Sequence, residues 1–246
     1  MARFHAGQRR MARSDVMARG LLAFVLTLAL VVSATPPSAA DDALDARQLV
    51  EKSQMTLESF MADNEIQAIR DLMTKAQGVF IAPQVLKGAF IIGASGGSGV
   101  FVAREDAAKQ WTGPAFYTIG SVSFGLQIGG EASEIILLAM TTRGVSAMLS
   151  STFKLGADAS VAVGPVGAGA SAATAALSAD IIAFSRAKGL YGGISVDGAV
   201  VAVRGDWNHA YYGKAVEPAD ILVRRTVSNP QSAGLIAAVS KASGKR

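Results

Sequence analysis

Residues 75–80 and 96–104 read KAQGVF and GGSGVFVAR, and residues 186–191 and 197–204 follow the same pattern as RAKGLY and DGAVVAVR. Each pair begins with a basic residue and passes through glycine into an apolar run, a glycine-containing turn and a stretch that ends in arginine. Short β-branched and aromatic runs bounded by glycine indicate strands. The four stretches therefore predict a β-rich core, and their likeness suggests an internal duplication.

Further strands are predicted along the chain from residue 78 to residue 205. Pro83 and Gly96-Gly97-Ser98 predict turns, and Asp197-Gly198 predicts a hairpin. Residues 155–177 are rich in Gly, Ala and Ser, which allows a disordered linker, but their period of two around Gly164-Pro165 favours two strands of small residues. The predicted strands are 79–82, 89–93, 99–104, 115–127, 134–141, 181–185, 190–196 and 199–204, with one short helix over 143–151.

Helices are predicted on both sides of these strands. Residues 41–77 contain no Pro or Gly and carry apolar side chains at helical spacing, with a break at Asp63-Asn64. Residues 206–246 predict helices that start near Asp206, Glu217-Pro218 and Asn229-Pro230. Segregated helices and strands predict an α+β fold. We expect an antiparallel, barrel-like or sandwich core with little exposed edge.

Residues 1–40 have the pattern of a secretory signal peptide. Five arginines precede a largely apolar run over residues 21–32, and Ser38 and Ala40 are small residues in the positions that favour a cut before Asp41. A membrane-spanning helix needs roughly 20 apolar residues, more than this run supplies. We therefore expect residues 41–246 to form a single exported domain, periplasmic or secreted; an uncleaved anchor is the alternative.

The charge of the chain is concentrated in this leader. The chain has 23 basic and 19 acidic residues, of which residues 1–40 hold 5 and 1, so that 18 of each remain. A neutral domain lacks the positive surface that nucleic-acid binding requires. Any attraction to a membrane must come from local patches of charge.

Several kinds of catalytic site are excluded by composition. The chain has no cysteine and two histidines, of which His5 lies in the leader. A thiol nucleophile, a disulfide and a thiolate metal site are therefore impossible. The chain also has too few histidines for a zinc site, which usually needs several His or Cys ligands. We expect no cofactor, no metal and no catalytic residue. A hydrolase that uses His209 or Glu131 is kept as a remote alternative.

Two motifs invite a chemical interpretation that their context does not support. The glycine-rich stretch 93–99 is followed by a predicted strand, where a dinucleotide loop needs a helix, and it lacks the Lys-Ser or Lys-Thr of a Walker loop. Gln127, Glu131 and Glu134 could perform acid–base chemistry or bind a hard cation. No nucleophile or second ligand cluster is near them in the sequence, which favours structural hydrogen bonds.

Two sets of residues are candidates for membrane contact. The first predicted helix has an apolar face that either packs against the sheet, as in most soluble proteins, or lies on a membrane surface. Basic residues beside glycines or strand ends could converge into one patch for anionic lipid, although scattered surface charge is the simpler interpretation. The helix face comprises Leu49, Val50, Leu57 and Phe60, and the basic candidates are Lys87, Arg104, Lys154, Arg186 and Lys188, with Lys75 as a further member.

Taken together, these phrases resemble the SYLF domain, a lipid-binding family that includes yeast actin-binding proteins. The resemblance covers residues 48–238. The phrases that carry it, in order, are KGAFIIG (87–93), GGSGVFVAR (96–104), Trp111 with Pro114, FGLQIGGE (124–131), LGADASVAVGPVG (155–167), SRAKGLYGGISVDG (185–198), Asn208 with Tyr211-Tyr212-Gly213, and Ile221-Leu222.

The resemblance implies a lipid-binding module rather than an enzyme. Eukaryotic members bind phosphoinositides and related acidic lipids, and some bind or bundle actin. The lipid contact associated with the family corresponds here to residues 44–61 and to Lys87, Arg186 and Lys188. Two positions depart from the pattern, because Ala168 stands where Arg is frequent and Asp197 where Glu is usual. The missing arginine weakens any transfer of phosphoinositide binding to this chain.

The sequence therefore predicts a non-enzymatic module that binds acidic phospholipid or a similar amphiphile at a bacterial envelope membrane. Basic residues would hold the headgroup while an apolar helix face inserts shallowly. Export would remove actin as a natural partner. A structural envelope protein, in which the first helix packs against another protein, is the main alternative.

Overall fold

The computed structural model describes residues 39–63, 67–89, 92–105, 110–124, 129–164, 178–187, 190–191 and 196–244. Two helices, α1 (Ala39–Ala62) and α2 (Gln67–Met73), precede the sheet. Asp41 and Asp42 lie in the first turn of α1, where carboxylates favour the positive end of the helix dipole. The predicted signal peptide lies outside the described residues, except that α1 already includes residues 39 and 40.

The strands form one curled, half-barrel sheet, which confirms the predicted α+β class. Eight of the described strands follow the spatial order β5-β9-β3-β2-β1-β4-β7-β6, and β8 pairs with β7. Strands β1 to β4 have the 4-1-2-3 order of a Greek key. The strands are β1 (Gly78–Ala89), β2 (Ile92–Arg104), β3 (Trp111–Phe124), β4 (Gly129–Ala139), β5 (Thr152–Lys154), β6 (Val161–Val163), β7 (Ile181–Ala187), β8 (Leu190–Tyr191) and β9 (Val200–Val203).

The remaining helices begin where the sequence predicts. They are α3 (Thr142–Met148), α4 (Gly205–Tyr212), α5 (Pro218–Leu222) and, after the 3-10 turn Pro230–Ser232, α6 (Ala233–Ser243). The Thr141 side chain caps α3 by accepting a hydrogen bond from the Gly144 amide. Pro218 and Pro230 lie at the start of their helical segments. Proline is favoured there because backbone N–H groups in the first turn have no partner within the helix, so the missing N–H costs no hydrogen bond.

Each central strand buries one set of side chains on each face of the sheet. On β2, for example, Val100 and Val102 point to the outer face, whereas Phe101 and Ala103 point to the inner face. The outer set packs under α1, α2, α4 and α6, and the inner set fills the curl of the sheet together with residues of α3 and α5. The alternation arises because successive side chains of a strand point in opposite directions.

Two of the predicted turns are wrong, because both lie inside strands. Gly96-Gly97-Ser98 is part of β2, and Pro83 lies in β1 at a bulge between Ile81 and Gln84. A Cβ on Gly97 would lie 2.3 Å from the Gln84 carbonyl oxygen. Glycine is required here by the close approach of two strands and not by a reversal of the chain.

The internal duplication and the Asp197-Gly198 hairpin are also not found. RAKGLY falls on β7 and β8, near one end of the sheet, whereas DGAVVAVR leads into β9, which pairs with β3 and β5. The predicted partner strands 190–196 and 199–204 are therefore not neighbours over the residues described. Of the two small-residue strands predicted in 155–177, the structure shows β6; residues 165–177 lie outside the described part. β6 pairs with β7 in parallel, the single exception to antiparallel pairing in the described sheet.

Candidate functional site

The apolar face of α1 is buried against the sheet. Leu49, Val50, Leu57 and Phe60 all belong to the core cluster under the outer helices. Near the start of α1, the Trp207 indole N–H donates a buried hydrogen bond of 3.0 Å to the Asp42 carboxylate. The structure thus shows the packing alternative for this face. Membrane contact through these four side chains stays a prediction that requires α1 to leave the sheet.

Arg186 connects α1 to the sheet through several contacts at once. Its Nε donates to the Glu134 carboxylate on the neighbouring strand at 2.7 Å, and its Nη2 donates to the Ser59 hydroxyl on α1 at 2.8 Å. The guanidinium also lies 4.6 Å from the centre of the Phe60 ring. Only 14% of its side chain is exposed. These contacts give Arg186 a structural role, which is to hold α1 on the sheet. They also provide the Glu134 carboxylate with structural hydrogen bonds, as the sequence favoured.

Lys87 and Arg104 lie at opposite ends of the β1–β2 pair. Lys87 is the Cα partner of Ser95, nine residues before Arg104 on β2, and nine strand residues span about 30 Å. Arg104 is half-buried, donates to the Thr74 carbonyl at 3.2 Å and lies 5.8 Å from the centre of the Trp111 ring. The predicted basic residues therefore do not converge into a single patch.

Lys154 is exposed, as Lys75 is, whereas Lys87, Arg104 and Arg186 are half-buried. Lys154 lies on β5 in an exposed–buried–exposed pattern, with Phe153 turned inward. Its side chain points to the outer face and forms no salt bridge with any residue that the structure describes. The Asp158 carboxylate accepts a hydrogen bond of 2.7 Å from the Lys154 backbone N–H. Lys188 lies outside the described residues.

The helical layer ends before the strands do. On β2, the Ser98 hydroxyl accepts a hydrogen bond from Arg204, whose guanidinium lies 3.6 Å from the centre of the Trp207 ring on α4. On β4, Glu134 is held by Arg186. The next outward positions on these strands, Gly96 and Ala132, are exposed. Ser98 and Glu134 thus mark the limit of the outer helices.

Beyond this limit, two cross-strand rows form a bare surface on the outer face. The first row runs Val200–Gly120–Gly96–Leu86–Ala132 from β9 to β4, and the second runs Val122–Ala94–Gly88–Gly130 from β3 to β4. We call Leu86, Ala94, Val122, Ala132 and Val200 the outer apolar band. Lys154 is the Cα partner of Val200 and ends the first row at β5.

The outer apolar band is uncharged and exposed. Leu86, Val122 and Val200 expose 56%, 68% and 41% of their surface. A Cβ on Gly88 or Gly96 would meet nothing within 4 Å, so the glycines leave open space between the aliphatic side chains. This surface was not predicted from the sequence. Its signal was small or aliphatic residues at alternate positions, Leu86 and Gly88 on β1, Ala94 and Gly96 on β2, and Gly120 and Val122 on β3, but only the strand register brings them together.

A basic turn after α5 was also missed. Val223 is exposed and is followed by Arg224 and by Arg225, whose φ of 53° lies in the left-handed region. Arg224 pairs with Asp220 at 2.8 Å, and Arg225 pairs with Glu105. The hydrogen bond from Arg224 is the main reason that the pKa of Asp220 is lowered. Each arginine of this turn therefore has a carboxylate partner.

The hydrolase alternative gains no support from the geometry. The His209 imidazole is exposed and forms no hydrogen bond with an acidic or hydroxyl side chain in the described ranges. Glu131 lies across from Lys87 on an exposed part of β4. Within the same ranges, no three His, Asp or Glu side chains are grouped as metal ligands would be, and no helix is long and apolar enough to cross a membrane.

Perturbed groups elsewhere have structural explanations. Burial raises the pKa of Tyr117, whose hydroxyl donates to the Met148 carbonyl inside the curl. A hydrogen bond from Thr141 is the main cause that lowers the pKa of Asp180, with further bonds from the Ser160 backbone and hydroxyl. One pocket, of about 240 Å³, is lined by residues that include Ser160, Val161 and Asp197. This volume is below the roughly 300–1,000 Å³ of typical ligand pockets.

Comparison with protein families gives one family over half of the chain. The family model described as Ysc84, Las17-binding protein actin regulator, matches residues 120–242 of the 246-residue chain. The match begins on β3 and ends within α6. It therefore includes most of the strands and the C-terminal helices.

Curated relatives extend the similarity over about two thirds of the chain. The human SH3 domain-containing YSC84-like protein 1 is 31% identical over 166 residues, which are 67% of this chain and 48% of the relative. LAS seventeen-binding protein 3 of Saccharomyces cerevisiae is 32% identical over 171 residues, 66% of this chain and 37% of the relative. Protein YSC84 of the same yeast is 33% identical over 172 residues, 66% and 36%. The chain thus matches less than half the length of these relatives.

Proposed function

Because the chain belongs to the Ysc84 family, whose SYLF domain is known as a lipid- and actin-binding module, we propose that it is a non-catalytic module that binds acidic phospholipid or a similar amphiphile at a membrane surface. The family match is the observation that carries this proposal, and it covers residues 120–242, from the end of β3 to α6. Basic residues would attract the headgroups, and exposed aliphatic side chains would enter the interface.

The proposed location is a bacterial envelope. The support is the sequence of residues 1–40, which has the charge, the apolar run and the small residues of a secretory signal peptide. An exported domain would meet the outward-facing lipid of the envelope and would not meet actin. Periplasmic and secreted forms are both consistent with this pattern.

A protein-binding role through α1 is the second candidate, but the structure argues against a partner bound by the apolar face of this helix. The apolar face that would pack against a partner already packs against the chain's own sheet. Only side chains on the exposed side of α1 would remain for a partner.

Vesicle co-sedimentation tests the proposal. Residues 39–246 form a compact unit by themselves and suit the assay. We expect pelleting with vesicles that contain phosphatidylglycerol, weaker pelleting with pure phosphatidylcholine, and a decrease as salt rises from low to physiological ionic strength, because counterions screen exposed charges. The absence of pelleting with every vesicle composition would contradict lipid binding and leave a protein partner as the better search.

A further inference from the structure

We propose that the outer apolar band is the surface that lies on the membrane, with α1 still packed on the sheet. This inference rests on the proposed function and names the part of the molecule that performs it. The contact would place Leu86, Val122 and Val200 in the lipid interface and Lys154 among the headgroups at the edge of the band. The inference is supported by a comparison with the exposed apolar side chains on α1 and after α5.

The exposed aliphatic positions on α1 have acidic surroundings. Leu44 lies one turn from Asp41 and Arg47, and Met55 lies one turn from Glu51, Lys52 and Glu58. Over its whole length α1 carries five acidic and two basic residues, so the helix is net negative. Like charge repels an acidic lipid surface, so these positions are unfavourable for contact with it.

The exposed valine after α5 has basic neighbours, but their charge is already compensated. Arg224 and Arg225, which follow Val223, are paired with Asp220 and Glu105. Binding a headgroup there would have to displace existing ion pairs. In contrast, neither of the two rows of the band contains a charged residue, and Lys154 next to Val200 has no salt-bridge partner in the described part of the chain.

The two central strands of the band, β1 and β2, are paired on both sides along their length, so their backbone groups are bonded in the sheet. A partner that covers the middle of the band must therefore contact its side chains and not a strand edge. Because strands are spaced by about 4.8 Å, the five strands of the first row present a surface about 20 Å across.

The composition of the band favours a lipid surface over a protein partner. Protein interfaces are built around large anchors, often aromatic, that fill pockets, whereas Leu86, Val122 and Val200 are aliphatic and the band contains no aromatic side chain. The sequence next to the band is uncharged as well. The segments that follow β1 and β3 in the chain carry Phe90-Ile91 and Gly125-Leu126-Gln127-Ile128, without a charged residue, although connections between strands usually carry polar turn residues.

A matched pair of variants tests the site. Val122→Gln changes the band, and Met55→Gln changes α1 at a side chain of similar exposure, 68% against 63%. We expect Val122→Gln to weaken binding to phosphatidylglycerol vesicles about tenfold and Met55→Gln to leave it unchanged. Circular dichroism and thermal melting of both variants establish that each is folded, and neither residue is part of the core.

The lack of cysteine allows a second, direct readout. Val122→Cys and Met55→Cys each introduce one labelling site for a fluorophore that reports polarity. A blue shift on vesicle addition at position 122 alone is the expected result. A shift at position 55 alone, or loss of binding in Met55→Gln but not in Val122→Gln, would overturn the inference and leave lipid binding in place.

Two further outcomes would also decide against it. If the unaltered protein does not bind vesicles at all, the proposed function fails together with the inference. If Val122→Gln abolishes a dimer seen by analytical ultracentrifugation while vesicle binding persists, the band is an interface between two copies of the chain.

Discussion

The same four strands, β1 to β4, form two regions that differ sharply in their outer face. Where α1, α2, α4 and α6 cover the sheet, the outward side chains are large and buried, as Val100 and Ile136 are. Beyond Ser98 and Glu134 the described outward positions of these strands are Gly, Ala, Leu and Val, and all of them except the half-buried Gly120 are exposed. The first region explains the stability of the domain, whereas the second has no covering element in the described structure.

The requirements of folding explain the side chains of the covered region but not those of the bare region. Burying aliphatic and aromatic groups stabilises the covered region, but exposed Leu and Val in neighbouring rows add nothing to folding. Contiguous exposed apolar surface in a soluble domain marks an interaction site. The comparison predicts that changes in the covered region lower stability, and that changes in the bare region alter binding only.

The largest expected effect separates the two regions most clearly. Ile136→Ala removes a fully buried side chain of the covered outer face, and we expect it to lower the free energy of unfolding by about 2–5 kcal/mol. Leu86→Ala, the matched change in the outer apolar band, should lower it by less than about 0.5 kcal/mol because the side chain is mostly exposed. Urea denaturation measures both values. Equal losses would show that the band is covered in solution.

The junction between the two regions should give the next largest effect. Arg186→Met retains the length of the side chain but leaves the Glu134 carboxylate without its cation, and we expect a loss of about 2 kcal/mol in stability.

The assignment of Arg186 to structure or to lipid contact is decided by combining two measurements. If Arg186 serves mainly to dock α1, then Arg186→Met combined with Glu134→Leu should recover part of the stability, since no unpaired charge remains. Vesicle binding at a temperature where the variant is folded should be close to normal. Full stability with lost binding would instead make Arg186 a headgroup ligand, as the sequence suggested.

A smaller, pH-dependent effect is expected at Asp180, which accepts a hydrogen bond from Thr141 at the start of α3. Hydrogen bonds from Thr141 and Ser160 lower the pKa of this carboxyl below its unfolded value of about 3.9. A lowered folded pKa stabilises the protein above the unfolded pKa, and this contribution is lost as the pH falls from about 4 toward the folded pKa. Asp180→Asn should therefore lower the free energy of unfolding by about 1–2 kcal/mol at pH 7. The difference in stability between the unaltered protein and the variant should become smaller below pH 4. A difference that stays constant in thermal melts from pH 7 to pH 3 would contradict this.

The sequence predicted the class of the fold because long-range pairing was not needed for it. Helical spacing in 41–77 and the proline starts at Pro218 and Pro230 are local signals, and the helices formed there. The wrong turns at Pro83 and at residues 96–98 show the limit. A glycine run reads as a turn until the partner strand is known, and only the Gln84 carbonyl beside Gly97 reveals the close approach that requires glycine.

The candidate site was harder to predict for the same reason. Leu49, Val50, Leu57 and Phe60 form a clear stripe, but a stripe does not state whether a sheet or a membrane covers it. The outer apolar band is assembled from five strands, β1 to β4 and the distant β9, which places Val200 beside Gly120. Its members become visible as a surface only through the register of the sheet. Lys154 was selected for its position beside a strand end, and the register places it next to the band.

Lys154 gives the smallest expected effect, and one confined to the bare region. Lys154→Ala removes a single exposed charge without a salt-bridge partner in the described structure, so the free energy of unfolding should change by less than about 0.5 kcal/mol. Near an acidic membrane one lysine contributes about 1 kcal/mol, so affinity for phosphatidylglycerol vesicles should fall about fivefold.

The matched control for this change is Lys75→Ala, which removes an exposed lysine between α2 and β1, at the far end of the sheet from the band. Binding to neutral vesicles should be the same in both variants, and raising the salt should reduce the difference between them on acidic vesicles, since screening acts on the charge of Lys154 and not on the aliphatic contact. If Lys75→Ala weakens binding as much as Lys154→Ala does, the attraction is a property of the whole surface. In that case the bare region would not orient the domain on the membrane.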